Sequence, residues 1–327
     1  MNAIRSIARH ILLTLPLLGN GILAAHAEAY PANLIRIVVP TGPGTPPDVI
    51  SRVIAAELAE GEGWRMVVEN KPGALQSIGM AEALKQPADG HTIYSMSVPT
   101  AAVPALMPNL GMRPDVDFLP VIKLSKSYNA LVVTPSFPAK SVSELLAVLK
   151  KDPGKYNFSS AGFGTPGHLI GEMFKLQTGI QAIHVPYQQS HQRLGDLLSG
   201  TNHFDFLATV TVADFVETGK LRALGVTAPG RVAGLKDVPS VVEQGFPELV
   251  VEDYVGFAVK SGTSNDIVVT LNKAVNKALQ KPKVVETFSK LGATPAGGSA
   301  AAFGTFINEQ VAYWGKVIKE SGIKMPQ

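Results

Sequence analysis

The chain has 327 residues and no cysteine. Disulfides, a thiol nucleophile and thiolate metal sites are therefore excluded. Aromatic residues make up 7% of the chain, which leaves no stacking platform of the kind that single-stranded nucleic acid needs. Charge of one sign is also scarce. The 29 Lys and Arg residues nearly balance the 26 Asp and Glu residues, for a formal charge of +3. The basic residues are scattered rather than clustered, so no nucleic-acid partner is expected. Beyond the first residues there is no apolar run long enough to cross a membrane. The start differs. Arg5 and Arg9 precede an apolar stretch from Ile11 to Ala25, which ends in Ala25-His26-Ala27. A basic region, a short apolar core and an A-x-A site read as a secretory signal peptide over residues 1–27, with a soluble, exported chain after it. An uncleaved anchor fits less well, because the apolar stretch is short and ends in small residues.

What the sequence does contain is one short phrase written twice. Gly42-Pro43-Gly44-Thr45-Pro46 and Gly162-Phe163-Gly164-Thr165-Pro166 are both Gly-x-Gly-Thr-Pro. Each follows a strand-like run, Leu34 to Val39 and Tyr156 to Ser160, and each precedes a helical pattern. Thr is a favoured N-cap and Pro suits the first helical position. A helix start carries unpaired N–H groups and a partial positive charge, so it attracts anions. Two such starts point to an anionic guest held from two sides. Asp48, three residues after Thr45, reads as a capping-box acid.

About 300 residues remain after the leader, enough for two ordinary domains. Strand-like and helical segments alternate along them, which predicts an α/β architecture with parallel sheets. The stretch between Met96 and Ala130 reads as long, irregular and rich in proline. In such folds ligands bind at the carboxyl ends of strands, where both Gly-x-Gly-Thr-Pro loops are expected.

Competing chemistries find less support. Gly162 to Gly167 is formally G-x-G-x-x-G, the dinucleotide fingerprint, but no acid lies between Glu172 and Asp196 to take the ribose hydroxyls. The seven histidines form no H-x-x-x-H or H-E-x-x-H pair, so no metal site is expected. His168 sits in the first turn after the second loop, where the helix end lowers its pKa and favours a neutral ring. No Gly-x-Ser-x-Gly elbow occurs, and Ser159 and Ser160 have no evident base in sequence. Val185 to His191 is a polar run after a strand, suited to recognising a polar guest or to a solvated loop.

At this point the residues resemble a known family. The ordered features are Tyr30-Pro31, Ile35 to Pro40 with Asp48 and Arg52, Val68 to Ala74, Ala88 to Thr92, His184 to Tyr187, Gly219 to Leu224, and Val238 to Gly245. Together they resemble the solute receptors of tripartite tricarboxylate transporters, the Bug-type proteins. The resemblance implies a two-lobed periplasmic binding protein of type II-like α/β fold, with two crossing strands and a ligand cleft between lobes. Lobe 1 would comprise residues 28–130 and 254–327, and lobe 2 residues 131–253. It further implies a monomeric receptor without catalysis, cofactor or metal. Such a receptor captures a small carboxylate, largely on loop N–H groups, and presents it to membrane transporter subunits.

The ligand residues it implies in the first lobe are Thr41, Gly44, Thr45, Pro47, Gln76, Ser77 and Ser97. Those in the second are Ser160, Phe163, Gly164, Thr165, His168, Tyr187, Gln188, Gln189 and Asp205. Three loops depart from the family pattern. Gly44-Thr45 replaces a usual Gly-Gly pair, Leu75-Gln76 another, and Gln188-Gln189 a usual Lys-Gly. These changes point to a larger, flatter guest, such as an aromatic carboxylate or a dicarboxylate like terephthalate. An exported enzyme acting on a carboxylate and a sensor subunit remain alternatives.

Overall fold

A computed structural model describes residues 30–187 and 189–324. The expected signal peptide lies outside the described residues. Among the described residues the chain begins with β1 (Ile35–Val39), whose apolar members are buried while Arg36 is only partly so, as befits a parallel strand covered on both faces. It continues through α1 (Pro46–Glu62), β2 (Met66–Asn70), α2 (Ser77–Leu84), β3 (Thr92–Ser97), α3 (Val98–Leu106), α4 (Pro114–Asp117) and the long strand β4 (Phe118–Ser127). A second unit follows with β5 (Asn129–Val133), α5 (Val142–Lys151), β6 (Asn157–Ser160), α6 (Pro166–Thr178), β7 (Ile183–Pro186), α7 (Ser190–Ser199), β8 (Phe204–Ala208), α8 (Thr209–Glu217) and β9 (Arg222–Val226). The chain then returns as β10 (Asp253–Lys260), α9 (Asn265–Leu279), α10 (Pro282–Lys290), β11 (Ala293–Pro295) and α11 (Ala300–Ser321).

Two sheets result, ordered β11-β4-β10-β3-β1-β2 and β7-β6-β8-β5-β9. They are mixed rather than parallel. β1 pairs parallel with β2 and β3, whereas β10 runs antiparallel to β3 and β4. In the second sheet β5 is antiparallel to β8 and β9. The antiparallel members β5 and β10 are the strands that enter each sheet from the other lobe.

The stretch expected to be irregular holds α3 and β4. Pro120 disguises the strand, since proline weakens a ladder. It is tolerated because β11 covers only Ser125 to Ser127, and because Pro120 faces Ala258 beside a register shift in β10.

The crossings are stitched by one side chain. Thr227 is 1% exposed. Its Oγ1 accepts the N–H of Asn129 at 3.1 Å and lies 3.2 and 3.3 Å from the carbonyls of Asn129 and Val251. Backbone bonds from Thr227 N–H to Asn129 O and from Val251 N–H to Thr227 O complete the stitch. The C-terminal helix α11 packs on α3 and β4 of the first lobe and reaches α6 of the second. One buried cluster accordingly runs from Met80 and Tyr94 through Trp314 to Phe158 and Phe174.

Removing the Thr227 hydroxyl strands a buried N–H. Thr227→Val is expected to lower unfolding free energy by about 1–3 kcal/mol, read as a lower urea midpoint at unchanged m-value. An unchanged midpoint would count against the stitch.

Candidate functional site

The loops that follow β1 and β2 in one sheet face those that follow β6 and β7 in the other. The two Gly-x-Gly-Thr-Pro copies have the same internal geometry. Thr45 and Thr165 are the N-cap residues of α1 and α6, with φ, ψ of −74°, 157° and −70°, 160°. Neither hydroxyl caps its helix. Thr45 Oγ1 donates to Gly42 O at 2.8 Å and Thr165 Oγ1 donates to Gly162 O at 2.7 Å. The expectation of side-chain capping is corrected here: each hydroxyl closes its own loop. Thr45 Oγ1 also bonds Thr41 Oγ1 at 2.7 Å. Gly44 and Gly164 take φ of +79° and +70°, conformations that glycine adopts without penalty.

The copies share one further bond, and there they differ in charge. Gly44 N–H donates to the Asp48 carboxylate at 2.9 Å, and Gly164 N–H donates to His168 Nδ1 at 2.9 Å. The acceptor stands four residues on in both. In the first loop it is an anion, which also takes Arg52 Nε at 3.0 Å and Asn70 Nδ2 at 2.8 Å. In the second it is a ring nitrogen that must be unprotonated to accept. Burial, with Lys175 nearby, lowers the His168 pKa to about 4. The direction matches expectation, but burial rather than the helix end is the main cause.

The second helix start is also better supplied with donors. Pro46 and Pro47 occupy the first two positions of α1 and neither has an N–H. In α6 only Pro166 lacks one, so Gly167 and His168 keep first-turn N–H groups that no helical carbonyl can take.

Several expected ligand groups serve the scaffold instead. Gln76 is 8% exposed and faces its own lobe. Its Oε1 accepts from Thr100 at 2.7 Å and its Nε2 donates to Ser97 at 2.8 Å. Ser77 Oγ donates to Ala74 O at 2.7 Å. Ser160 is buried, with its Oγ bonded to Gly162 O at 3.0 Å and His184 Nε2 at 2.7 Å. Asp205 is fully buried and receives Arg193 Nε at 2.7 Å, Arg193 Nη2 and Ser159 Oγ. It underlies the cleft rather than lining it. Gln189 is the N-cap residue of α7 and takes Arg193 N–H on its carbonyl. Gln188 lies outside the described residues.

Two cavities open between the lobes. The inner one, of about 390 Å³, is lined by Pro46 of the first jaw, Thr165 to Gly167 of the second, and Arg193, Leu194 and Phe206. Asn129 and Asp253 also line it. Pro46, not the expected Pro47, lines this wall. The outer cavity, of about 610 Å³, lies between Gly73-Ala74 and the wall made by Gly162, Phe163 and Tyr187. The Tyr187 hydroxyl donates to Asp196 at 2.6 Å and accepts from Asn202 at 2.8 Å.

The lobes touch through Leu75 and Gly164. A Cβ at Gly164 would lie 1.8 Å from Leu75 Cδ1. Behind that contact, His168 and His184 stack with centroids 4.1 Å apart, and Phe163 meets both edge-on.

Sequence reasoning missed Arg193, Asn129 and Asp253, which reach the cavity from separate elements. The polar run ending at His191 was the nearest signal for Arg193. A Ser160–His184 pair could suggest a nucleophile and base. However, Ser160 is fully buried, and burial pushes the His184 pKa down to about 3, helped by His168. Among the described residues no carboxylate is hydrogen-bonded to His184, and no group of three or more metal-ligating side chains occurs.

The unfolded chain binds protons at His168 near pH 6.5, whereas the folded chain does so only near 4. Stability from this group is full above pH 6.5 and is lost as the pH falls toward 4. Asp253, raised by burial from 3.8 to about 6, acts in the opposite sense. His168→Asn keeps an acceptor for Gly164 and removes the titration. Its unfolding free energy should fall less steeply between pH 6.5 and 4 than that of the parent. Equal slopes would contradict the assignment.

Comparison with known proteins agrees with this architecture. Residues 50–323 match the family described as Tripartite tricarboxylate transporter family receptor. Protein BugT of Bordetella pertussis is 34% identical over 301 residues, covering 91% of this chain and 92% of its own. Among solved structures, an R. palustris protein with adipate is 31% identical with a TM-score of 0.78, over 90% of this chain and 99% of that one. MatC from Rhodopseudomonas palustris with bound malate is 28% identical with a TM-score of 0.76, over 88% and 100%. The fold is that of two-lobed periplasmic binding proteins, and among the described residues no helix is long and apolar enough to cross a membrane. By sequence and by fold, the chain belongs to the tripartite tricarboxylate transporter receptors, a family of periplasmic solute-binding proteins.

Proposed function

We propose that this receptor captures a small carboxylate between its lobes in the periplasm and delivers it, chemically unchanged, to the membrane subunits of a tripartite transporter. It acts as a monomer, and residues 1–27 direct its export. The observation that carries the reading is the inequality of the two jaws around one cavity. Both helix starts face it, through Pro46 and Thr165. Only the second offers free N–H groups without an adjacent carboxylate, since His168 stands there in place of Asp48. The guest's carboxylate therefore sits at the start of α6, where an anion gains from N–H groups and the helix dipole together. Leu194, Phe206 and Leu207 give its carbon skeleton an apolar wall. The family structures with adipate and malate support the carboxylate class. A guest that bridges Pro46 and Thr165 favours the closed arrangement over the open one, so binding and closure are linked. The buried Ser160 and the weakly basic His184 favour binding over hydrolysis.

A thermal-shift screen over aliphatic and aromatic mono-, di- and tricarboxylates tests the class. A cognate ligand at 100 times its Kd stabilises by about 2.7 kcal/mol, a rise of several degrees in Tm. No shift with any carboxylate would refute the reading. The jaw assignment has its own test. His168→Asp reproduces the first loop's acceptor and its charge, while His168→Asn keeps the acceptor alone. Calorimetry should show at least a tenfold loss of affinity, about 1.4 kcal/mol or more, for the aspartate variant and a much smaller change for the asparagine one. Equal affinities in the two variants would contradict the assignment.

A further inference from the structure

Two polar side chains at the floor of the inner cavity have no part in holding either helix start. Asn129 opens β5 and Asp253 opens β10, so they mark the two crossings between lobes. Both line the cavity. Asn129 is 4% exposed, and among the described residues its Nδ2 has no hydrogen-bond partner. An amide buried without a partner is disfavoured, and a guest's acceptor would relieve it. One Asp253 oxygen accepts the N–H of Tyr254 at 2.9 Å. Among the described residues no side chain is paired with this carboxylate. Arg193 shares the cavity wall, but Asp205 and Phe206 O hold its Nε and Nη2 and the Asp205 carboxylate already compensates its charge. The floor thus presents a donor from one crossing and an acceptor from the other.

We propose that the guest's far end is a neutral group that both accepts and donates, a carboxamide or a hydroxyl, taken by Asn129 Nδ2 and the Asp253 carboxylate. The inference rests on the carboxylate reading above, which puts the charged end at α6. The alternatives satisfy the floor less well. A second ionised carboxylate could take Asn129 Nδ2 but would face Asp253 with like charge. An ammonium would suit Asp253 and leave Asn129 Nδ2 without an acceptor. Burial raises the Asp253 carboxyl to about 6, with the charge of Glu252 adding to it, so at neutral pH it is mainly the ionised acceptor. On this proposal the guest is a monocarboxylate with a polar, uncharged tail, a narrower class than the aromatic carboxylate or dicarboxylate expected from the loop sequences. A site that hydrogen-bonds such a tail discriminates strongly against analogues that leave its groups unpaired.

The test compares chains of equal length that differ only at the far end. Calorimetry at pH 7.5 would titrate the full mature protein with succinamate against succinate and with glutaramate against glutarate. At least one monoamide should bind tenfold or more tightly than its diacid. Asp253→Asn removes the charge and should bring that ratio to within about threefold, mainly by improving the diacid. A diacid that binds the parent protein as tightly as its monoamide overturns the inference, whether or not the variant folds. Binding of both without discrimination leaves the carboxylate reading intact and ends this one. Failure of every carboxylate to bind ends both.

Discussion

A neutral ring nitrogen accepting the N–H of Gly164 sets the difference in charge between the two helix starts. The bond to His168 Nδ1 shapes the second loop as the Asp48 carboxylate shapes the first. The two loops therefore share one backbone design and differ in potential. At the first, an acid already complements the helix end, and two prolines remove two of its donors. At the second, the acceptor is uncharged and only one proline removes a donor. The stack of His168 on His184 depends on the same neutrality, since two charged rings at that distance would repel. Burial provides it by disfavouring the protonated forms. The buried Arg193–Asp205 pair then places a compensated cation beneath the second loop. A Cβ on Gly167 would lie 3.0 Å from Arg193 Nη2. Removing one partner of such a pair costs about 3–5 kcal/mol, so Asp205 acts on the site through the scaffold.

The contact between the lobes rests on a strained loop. Ala74, Leu75 and Gln76 take φ of +42°, +54° and +72°, each a conformation that costs a side-chain-bearing residue roughly 1–3 kcal/mol. Gln76 anchors the segment through Ser97 and Thr100, and Ser77 ties it back to Ala74. The strain has a visible consequence: Leu75 lies on Gly164 of the opposite lobe. Glycine at 164 is needed twice over, for its positive φ and for the space Leu75 occupies. Leu75, one of the residues by which the loops differ from the family the sequence resembles, thus acts on the fit between lobes.

Much of this was legible in the sequence. The repeated phrase located both helix starts, because Gly, Thr and Pro each act through local backbone geometry. The local pattern gave β1 and β6 to within a residue, and the starts of α1 and α6. β4 was hidden by Pro120, whose cost depends on a neighbouring strand rather than on the local sequence. The roles of Thr45, Gln76 and Asp205 were misread because a hydroxyl, amide or carboxylate satisfies whichever partner folding brings near. Arg193 had only the polar run before it, and Asn129 and Asp253 carried no local signal. They come from α7, β5 and β10, and only the crossing topology brings them to one cavity.

The central claim is that the guest's carboxylate lies on the start of α6. Amide resonances of the 15N-labelled protein, followed during titration with a ligand found to stabilise it, address this most directly. The account predicts that the Gly167 and His168 amides show the largest downfield proton shifts, with Asp48 N–H moving much less. Shifts centred on Asp48, or spread evenly over both loops, would contradict it.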